Sequence, residues 1–339
     1  MGLIPLLFSY KFGGWVRRHT HNPSNFTFAS IPDLTGRVAI VTGSNTGIGK
    51  VTARELARKG ASVIVAARSP VRGQAAVDDI KREVGLKAKV EFMPLDLASL
   101  ASIRTFAQQF KESQRPLHAL VLNAGVMMCP FNTTKDGFEM QIGTNHLGHF
   151  LLTHLLLDTV IASAPSRIVV VSSMAHENPY EPEGIRFDQW TTDTGYSEMM
   201  AYGQSKLANV LMAKALARRL EGRRVFTNVC HPGVIVTELQ RHLEDKLTAM
   251  GTLGSFIRFA LEGLVGPGLM HADDGALTQL YLAAHPDVEA QGIHGQYFEP
   301  VAWATAPTAH ALNETLQDIL WDISETLVRV AKVPPRPKA

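Results

Sequence analysis

Arg37-Val38-Ala39-Ile40-Val41-Thr42-Gly43-Ser44-Asn45-Thr46-Gly47-Ile48-Gly49-Lys50 is the stretch that decides the fold. Residues 37–42 are dense in Val and Ile and barely alternate with polar residues, as in a strand buried on both faces. Glycines 43, 47 and 49 follow at once, and helical spacing runs from Ile48 to Lys59 through Thr52, Ala53 and Leu56. A strand that turns through glycines into a helix presents free N–H groups and a positive dipole end to an anion. The spacing is not G-x-G-x-x-G. It is not G-x-x-x-x-G-K-[ST] either, because Ser44 and Val51 stand where that pattern needs a glycine and a Ser or Thr. The loop Gly43, Ser44, Asn45, Thr46, Gly47, Ile48, Gly49 is read as a nucleotide-binding turn.

Outward from this stretch the chain alternates. Further strands are expected at Ser62–Ala67, Lys89–Pro94, Ala119–Leu122, Arg167–Ser172 and Val225–Cys230. Helices are expected at Arg72–Val84, Ser99–Glu112, Phe138–Ile161 and Met199–Leu220. Repeated strand–helix alternation with right-handed crossovers gives an α/β fold, a doubly wound Rossmann-type sheet with helices on both faces. One domain is expected over 36–300, preceded by an arm, 1–35, and followed by a C-terminal segment, 301–339. Within the latter, Leu312, Leu316, Ile319, Ile323, Leu327 and Val330 suggest an amphipathic helix over Ala311–Val333.

The end of the second strand bears on the cofactor. An NAD site carries an acid about 20 residues past the glycines to hold the ribose. Here the chain reads Val65-Ala66-Ala67-Arg68-Ser69, with no carboxylate and with an arginine suited to a 2′-phosphate. The expected cofactor is therefore NADP.

Composition excludes several classes. The 339 residues are 45% hydrophobic, with a formal net charge of +2 and no long run of one sign, so no nucleic-acid footprint is present. Cys129 and Cys230 are too few for a disulfide framework and suit a reducing, cytoplasmic compartment. Gly2 to Tyr10 is apolar but too short to cross a bilayer, which takes about 20 residues. With Lys11, Arg17 and Arg18 behind it, residues 1–18 either lie on a membrane surface or pack on the domain or a partner subunit.

Tyr202-Gly203-Gln204-Ser205-Lys206 places a phenol and an ammonium at i and i+4, on one helix face. A lysine about 5 Å away, at an effective dielectric of about 20, is expected to lower a tyrosine pKa by about two units. That suits an acid/base catalyst.

Taken together the motifs resemble the short-chain dehydrogenase/reductase family, most closely its branch of retinol-dehydrogenase-like and WW-domain-containing oxidoreductases. The resemblance covers about residues 34–300. It rests on Thr42-Gly43-x-x-x-Gly47-x-Gly49, Asp96-Leu97, Asn123-Ala124-Gly125, Asn145 in Thr144-Asn145-His146-Leu147-Gly148, Ser172-Ser173, Tyr202-x-x-x-Lys206 and His231-Pro232-Gly233. It implies a seven-stranded parallel sheet whose last strand lies at Gly295–Phe298. It implies that Asp96, next to Leu97, meets the adenine, that Asn123 supports the sheet beside the cofactor, and that Gly125, after Ala124, lets the backbone approach it. Asn145 would hold a relay water, Ser173 would bond the reacting oxygen, and Tyr202 would exchange the proton. Lys206 would bind the nicotinamide ribose, and Pro232, Gly233, Val234 and Thr237 would line the nicotinamide side.

Ser172 and Ser173 must face opposite ways on a strand, and the family pattern selects Ser173. Tyr196 lacks a lysine at i+4 and is read as a loop or pocket residue. His146, His149 and His154 do not have metal-ligand spacing and are read as ordinary helix residues; no metal site is expected. Ser173 and Tyr202 stand further apart than in compact family members. The intervening Met174–Ala201 carries Phe187, Trp190, Tyr196, Met199 and Met200, and Glu238–Met270 is also apolar. As lids, 174–201 and 238–270 would suit a lipophilic substrate; otherwise they bury themselves or form a homodimer interface. The expected activity is NADP(H)-dependent interconversion of a carbonyl and an alcohol on a retinoid- or steroid-like molecule or a long-chain aldehyde or ketone. A reductase of small reactive carbonyls and an idle NADP-sensing scaffold are the alternatives.

Overall fold

The protein is described from a computed structural model, over residues 24–235 and 269–328. The arm 1–18, Thr237 and nearly all of the segment 238–270 lie outside the described residues. The central sheet has the strands β1 (Val38–Thr42), β2 (Ser62–Ala67), β3 (Val90–Pro94), β4 (Ala119–Leu122), β5 (Ser166–Val171), β6 (Val225–Cys230), β9 (Tyr297–Glu299) and β10 (Trp303–Thr305). A separate parallel pair is formed by β7 (Val234–Ile235) and β8 (Leu269–Met270). The order in the large sheet is β10-β9-β6-β5-β4-β1-β2-β3. Seven strands are parallel, as expected; β10 is an eighth, antiparallel to β9.

Each central strand feeds two cores, which is why its sequence does not alternate apolar with polar. Ile40, Ile64, Leu120, Leu122, Ile168 and Val170 face one side. Val41, Val63, Val65, Val121, Val169 and Val171 face the other. The first side is covered by α3 (Leu100–Glu112), α4 (Gly148–Ala162), α5 (Glu198–Leu220) and α7 (Glu314–Val328); the second by α1 (Gly47–Arg58), α2 (Pro70–Val84) and α6 (Ala272–Ala284).

Local chemistry sets the helix starts. Ser69, Ser99 and Ser197 accept N–H bonds from Arg72, Ser102 and Met200 at the heads of α2, α3 and α5. Two regions differ from the sequence expectation. The helix predicted over 138–161 is Met140–Ile142, then a π-helical turn, Gly143–Leu147, then α4. The helix predicted over 311–333 is broken, because Asn313 Oδ1 accepts from Leu316 N at 3.1 Å and starts α7 anew after Ala309–Leu312. The buried face of α7 centres on Leu320, Trp321 and Ser324, whereas Leu312 and Ile319 are exposed. Trp321 docks under the Arg219 guanidinium, 4.2 Å from its ring centroid. Among the described residues no helix is long and apolar enough to cross a membrane.

Candidate active site

The functional side chains gather at the C-terminal ends of β1, β2, β4, β5 and β6, the end where ligands bind in open parallel sheets. Gly43 and Gly47 have φ of +66° and +56°, values that favour glycine. A Cβ on Gly49 would strike Asn123 Nδ2 and come within 2.7 Å of Gly43 O. Thr42 Oγ1 accepts from Asn123 N and Ala124 N at 2.9 and 3.0 Å, and Asn123 Nδ2 donates to Thr42 O at 2.8 Å. The ends of β1 and β4 are thereby clamped side by side, with Asn123 Oδ1 buried and unpartnered. Ser44 is buried, its hydroxyl donating to Val41 O at 2.6 Å. Thr46 heads α1 but places no side-chain bond on its first N–H groups, unlike the serines at α2, α3 and α5.

The other sequence-predicted cofactor residues ring this loop. Arg68 is exposed just past β2 and makes no ion pair among the described residues. The Asp96 carboxylate accepts from Ala98 N at 3.1 Å and pairs with Lys135 at 3.1 Å, and Leu97 is buried. Pro232 and Gly233 leave β6, with Gly233 N donating to His231 Nδ1 at 3.0 Å, and Val234 opens β7.

The helix α5 carries Tyr202 and Lys206 inward, both buried. Lys206 Nζ stands 5.7 Å from the Tyr202 ring centroid and donates to Val171 O at 3.3 Å. The Tyr202 side chain lies within electrostatic reach of the Ser173 hydroxyl, whose Oγ accepts from Ala175 N at 3.2 Å. Ser172 points the other way and donates to Lys206 O at 2.8 Å, anchoring α5 to β5. Asn145 sits in the π-helical turn. Its Oδ1 accepts from Val126 N at 2.8 Å, and its Nδ2 donates to Val126 O and Ser205 Oγ, each at 2.9 Å. A Cβ on Gly125 would lie 3.3 Å from Asn145 Oδ1 and 3.5 Å from Lys206 Nζ, so the backbone of residue 125 runs close beside both.

The electrostatics depart from the sequence expectation. Burial pushes the Tyr202 phenol up to about 12, only partly countered by the Ser173 hydroxyl nearby. Burial pulls the Lys206 ammonium down to about 8. The expected two-unit depression assumed a solvated tyrosine; removal of the phenolate from water is the larger effect here. Tyr202 is thus held protonated at neutral pH, beside a lysine whose charge burial destabilises.

Tyr196 belongs to a different network. Its hydroxyl donates to Cys129 O at 2.7 Å and accepts from Gln141 Nε2 at 2.9 Å. In the insert 174–201, Trp190 is buried in the main core with Phe187 against it, while Tyr196 and Met199 are half-buried and Met200 is exposed. Two site residues escaped the sequence reading. His176 Nδ1 donates to Ser173 O at 2.8 Å, and His149 Nδ1 donates to Asn145 O at 2.9 Å. The i+4 spacing of His149 from Asn145 on one helical run is the signal the sequence offers for the second of them.

Residues 37–184 match the family model described as short chain dehydrogenase. The chain is 44% identical to human retinol dehydrogenase 11 over 297 residues, covering 87% of this chain and 86% of that protein. It is 41% identical to mouse retinol dehydrogenase 14 over 310 residues, covering 88% and 87%. It is also 42% identical to the short-chain dehydrogenase TIC 32 B, chloroplastic, of Brassica napus, covering 86% and 88%. Among solved structures, an uncharacterized protein from Mycobacterium Paratuberculosis superposes with a TM-score of 0.67 at 34% identity, covering 90% of this chain and 97% of that one. The matched family and the fold make the chain an oxidoreductase of a class that works with a nicotinamide cofactor. The chain belongs to the short-chain dehydrogenase/reductase family, in its retinol-dehydrogenase-like branch.

Proposed function

We propose that the protein is an NADP(H)-dependent enzyme interconverting a carbonyl and an alcohol on a lipophilic substrate, retinoid- or steroid-like or a long-chain aldehyde or ketone. The observation that carries the reading is the buried Tyr202 beside Ser173, with the buried Lys206 one turn further along the same helix, its Nζ 5.7 Å from the Tyr202 ring centroid. The residues present fit a dinucleotide. Gly49 lets Asn123 and the Gly43 backbone close tightly on the turn, α1 has uncapped N–H groups, and Asn123 Oδ1 is a buried unpartnered acceptor.

The pyrophosphate would be held by Gly43, Ser44, Asn45, Thr46, Gly47, Ile48 and Gly49. Arg68 would take the 2′-phosphate, Asp96 and Leu97 the adenine, and Asn123, Ala124 and Gly125 the middle of the cofactor. Lys206 would take the nicotinamide ribose, with Pro232, Gly233, Val234 and Thr237 on the nicotinamide side. When bound, the cofactor supplies or accepts the hydride and, oxidised, adds a positive charge that favours phenolate. In the reducing direction the Ser173 hydroxyl steadies the charge growing on the substrate oxygen, and Tyr202 delivers its proton to that oxygen. In the oxidising direction Tyr202 takes the alcohol proton.

The test is NADPH consumption against retinal, long-chain aldehydes, steroid ketones and small aldehydes, with kcat/KM for both cofactors in wild type and Arg68→Ala. Turnover of the lipophilic set, and loss of the NADP preference in Arg68→Ala, are expected. Turnover of small carbonyls alone would favour the small-carbonyl reductase, and tight NADPH binding without turnover a cofactor sensor. A wild-type preference for NAD would overturn the role of Arg68.

A further inference from the structure

His149 is fully buried and joins two parts of the site that the sequence does not connect. Its Nδ1 is 2.9 Å from the Asn145 carbonyl, and its Nε2 is 2.9 Å from Thr42 Oγ1. A carbonyl oxygen only accepts, so Nδ1 carries the proton and Nε2 is the acceptor. Thr42 Oγ1 already accepts from Asn123 N and Ala124 N, so its own proton goes to His149. The nearest alternative acceptor, Val121 O, is further off at 3.4 Å. The result is a one-directional chain, from the β4 backbone through Thr42 and His149 to Asn145 O, in which each bond strengthens the next.

Resting on the proposed function, we infer that His149 is a positioning residue for the Asn145–Lys206 pair, and that its Nδ1–H, acting on the Asn145 carbonyl, is the atom that matters. The Asn145 side chain is already consumed by Val126 and Ser205. The His149 bond to its carbonyl adds a further hold on the π-helical turn that carries Asn145 past Gly125 and Lys206. The charged groups nearest the ring are consistent with a neutral imidazole. Lys206 and His146 both lie within electrostatic reach, and burial with Lys206 nearby holds His149 down to about 4.

Two variants separate positioning from packing, since asparagine gives up buried volume that glutamine keeps. In His149→Asn the amide nitrogen reaches the Nδ1 position and keeps the Asn145 bond, and Thr42 turns its hydroxyl to Val121 O. In His149→Gln the amide reaches Thr42 instead and removes the side-chain bond to the Asn145 carbonyl. The expected result is a kcat about tenfold below wild type for His149→Gln, with substrate KM within about twofold, and about fivefold higher turnover for His149→Asn than for His149→Gln. Nitrogen-15 spectra of histidine-labelled wild-type protein without cofactor should show the Nδ1–H tautomer for His149 from pH 6 to 8. A Gln variant equal to or better than the Asn variant, or an Nε2–H tautomer, would overturn the inference; if either variant does not fold, the tautomer decides. Wild-type turnover, with its loss in Tyr202→Phe, is the control, and absence of wild-type turnover would count against the proposed function instead.

Discussion

Three buried histidines make this protein sensitive to mild acid, and the effect can be worked out from their surroundings. Burial is the largest cause in each case: it holds His146 down to about 3, and His149 and His176 to about 4, against an ordinary value of 6.5. Between pH 6.5 and those folded-state values the unfolded chain binds protons that the folded chain refuses. Stability therefore rises with pH across this window and is lost as pH falls. From pH 6.5 to pH 5, at about 1.36 kcal/mol per unit, each histidine costs about 2 kcal/mol and the three together about 6 kcal/mol. That is comparable to the entire stability of many domains, about 5–15 kcal/mol. Glu139, whose carboxyl is raised by burial, acts in the opposite sense and offsets part of it. The perturbation that isolates one site is His146→Gln. His146 Nε2 donates to Ser324 Oγ at 2.8 Å, because Ser324 spends its own proton on Leu320 O at 2.7 Å. A glutamine amide can keep that donation without titrating. Urea unfolding at half-unit steps from pH 7 to 5, with constant m-values, should give a pH-dependent loss about 2 kcal/mol smaller at pH 5 in the variant than in wild type. A wild-type profile flat across that range, or identical slopes in both proteins, would refute the reasoning.

Further outcomes follow from the site. Tyr202→Phe should lower kcat by about two orders of magnitude or more while NADPH affinity, read by fluorescence titration, stays within about threefold; near-normal turnover would remove Tyr202 from the chemistry. Gly49→Ala, whose new methyl would meet Asn123 Nδ2 and Gly43 O, should weaken NADPH binding by about tenfold or more in the same titration, with a smaller loss of Tm. Unchanged affinity would mean that the glycine turn is not the phosphate cradle.

The sheet was legible because its strands are buried on both faces, and runs such as Ile40-Val41 and Val169-Val170-Val171 admit few other readings. Three residues of strand after Val301 carry no such signal, so β10 was missed. The glycine turn and the Tyr202–Lys206 spacing were visible because local geometry alone brings their parts together. The split in the C-terminal helix was not, since it depends on whether Asn313 caps a new helix or continues the old one. Nor was the sign of the Tyr202 shift, which depends on how much water the surrounding elements exclude. His149 is the instructive case. Its bond to Asn145 spans one helical turn, but its bond to Thr42 crosses 107 positions of sequence, and only the fold shows that one ring serves both.

The strand β10 also bears on how this protein avoids its neighbours. A parallel sheet ends in rows of unpaired N–H and C=O groups that invite strands from other chains. At one margin β9 is covered by a three-residue antiparallel return, too short to template much further growth. At the other, β3 ends in Pro94, which has no N–H to offer, and carries Glu91 paired to Arg115. Both borders of the sheet are thus poor templates for a further strand.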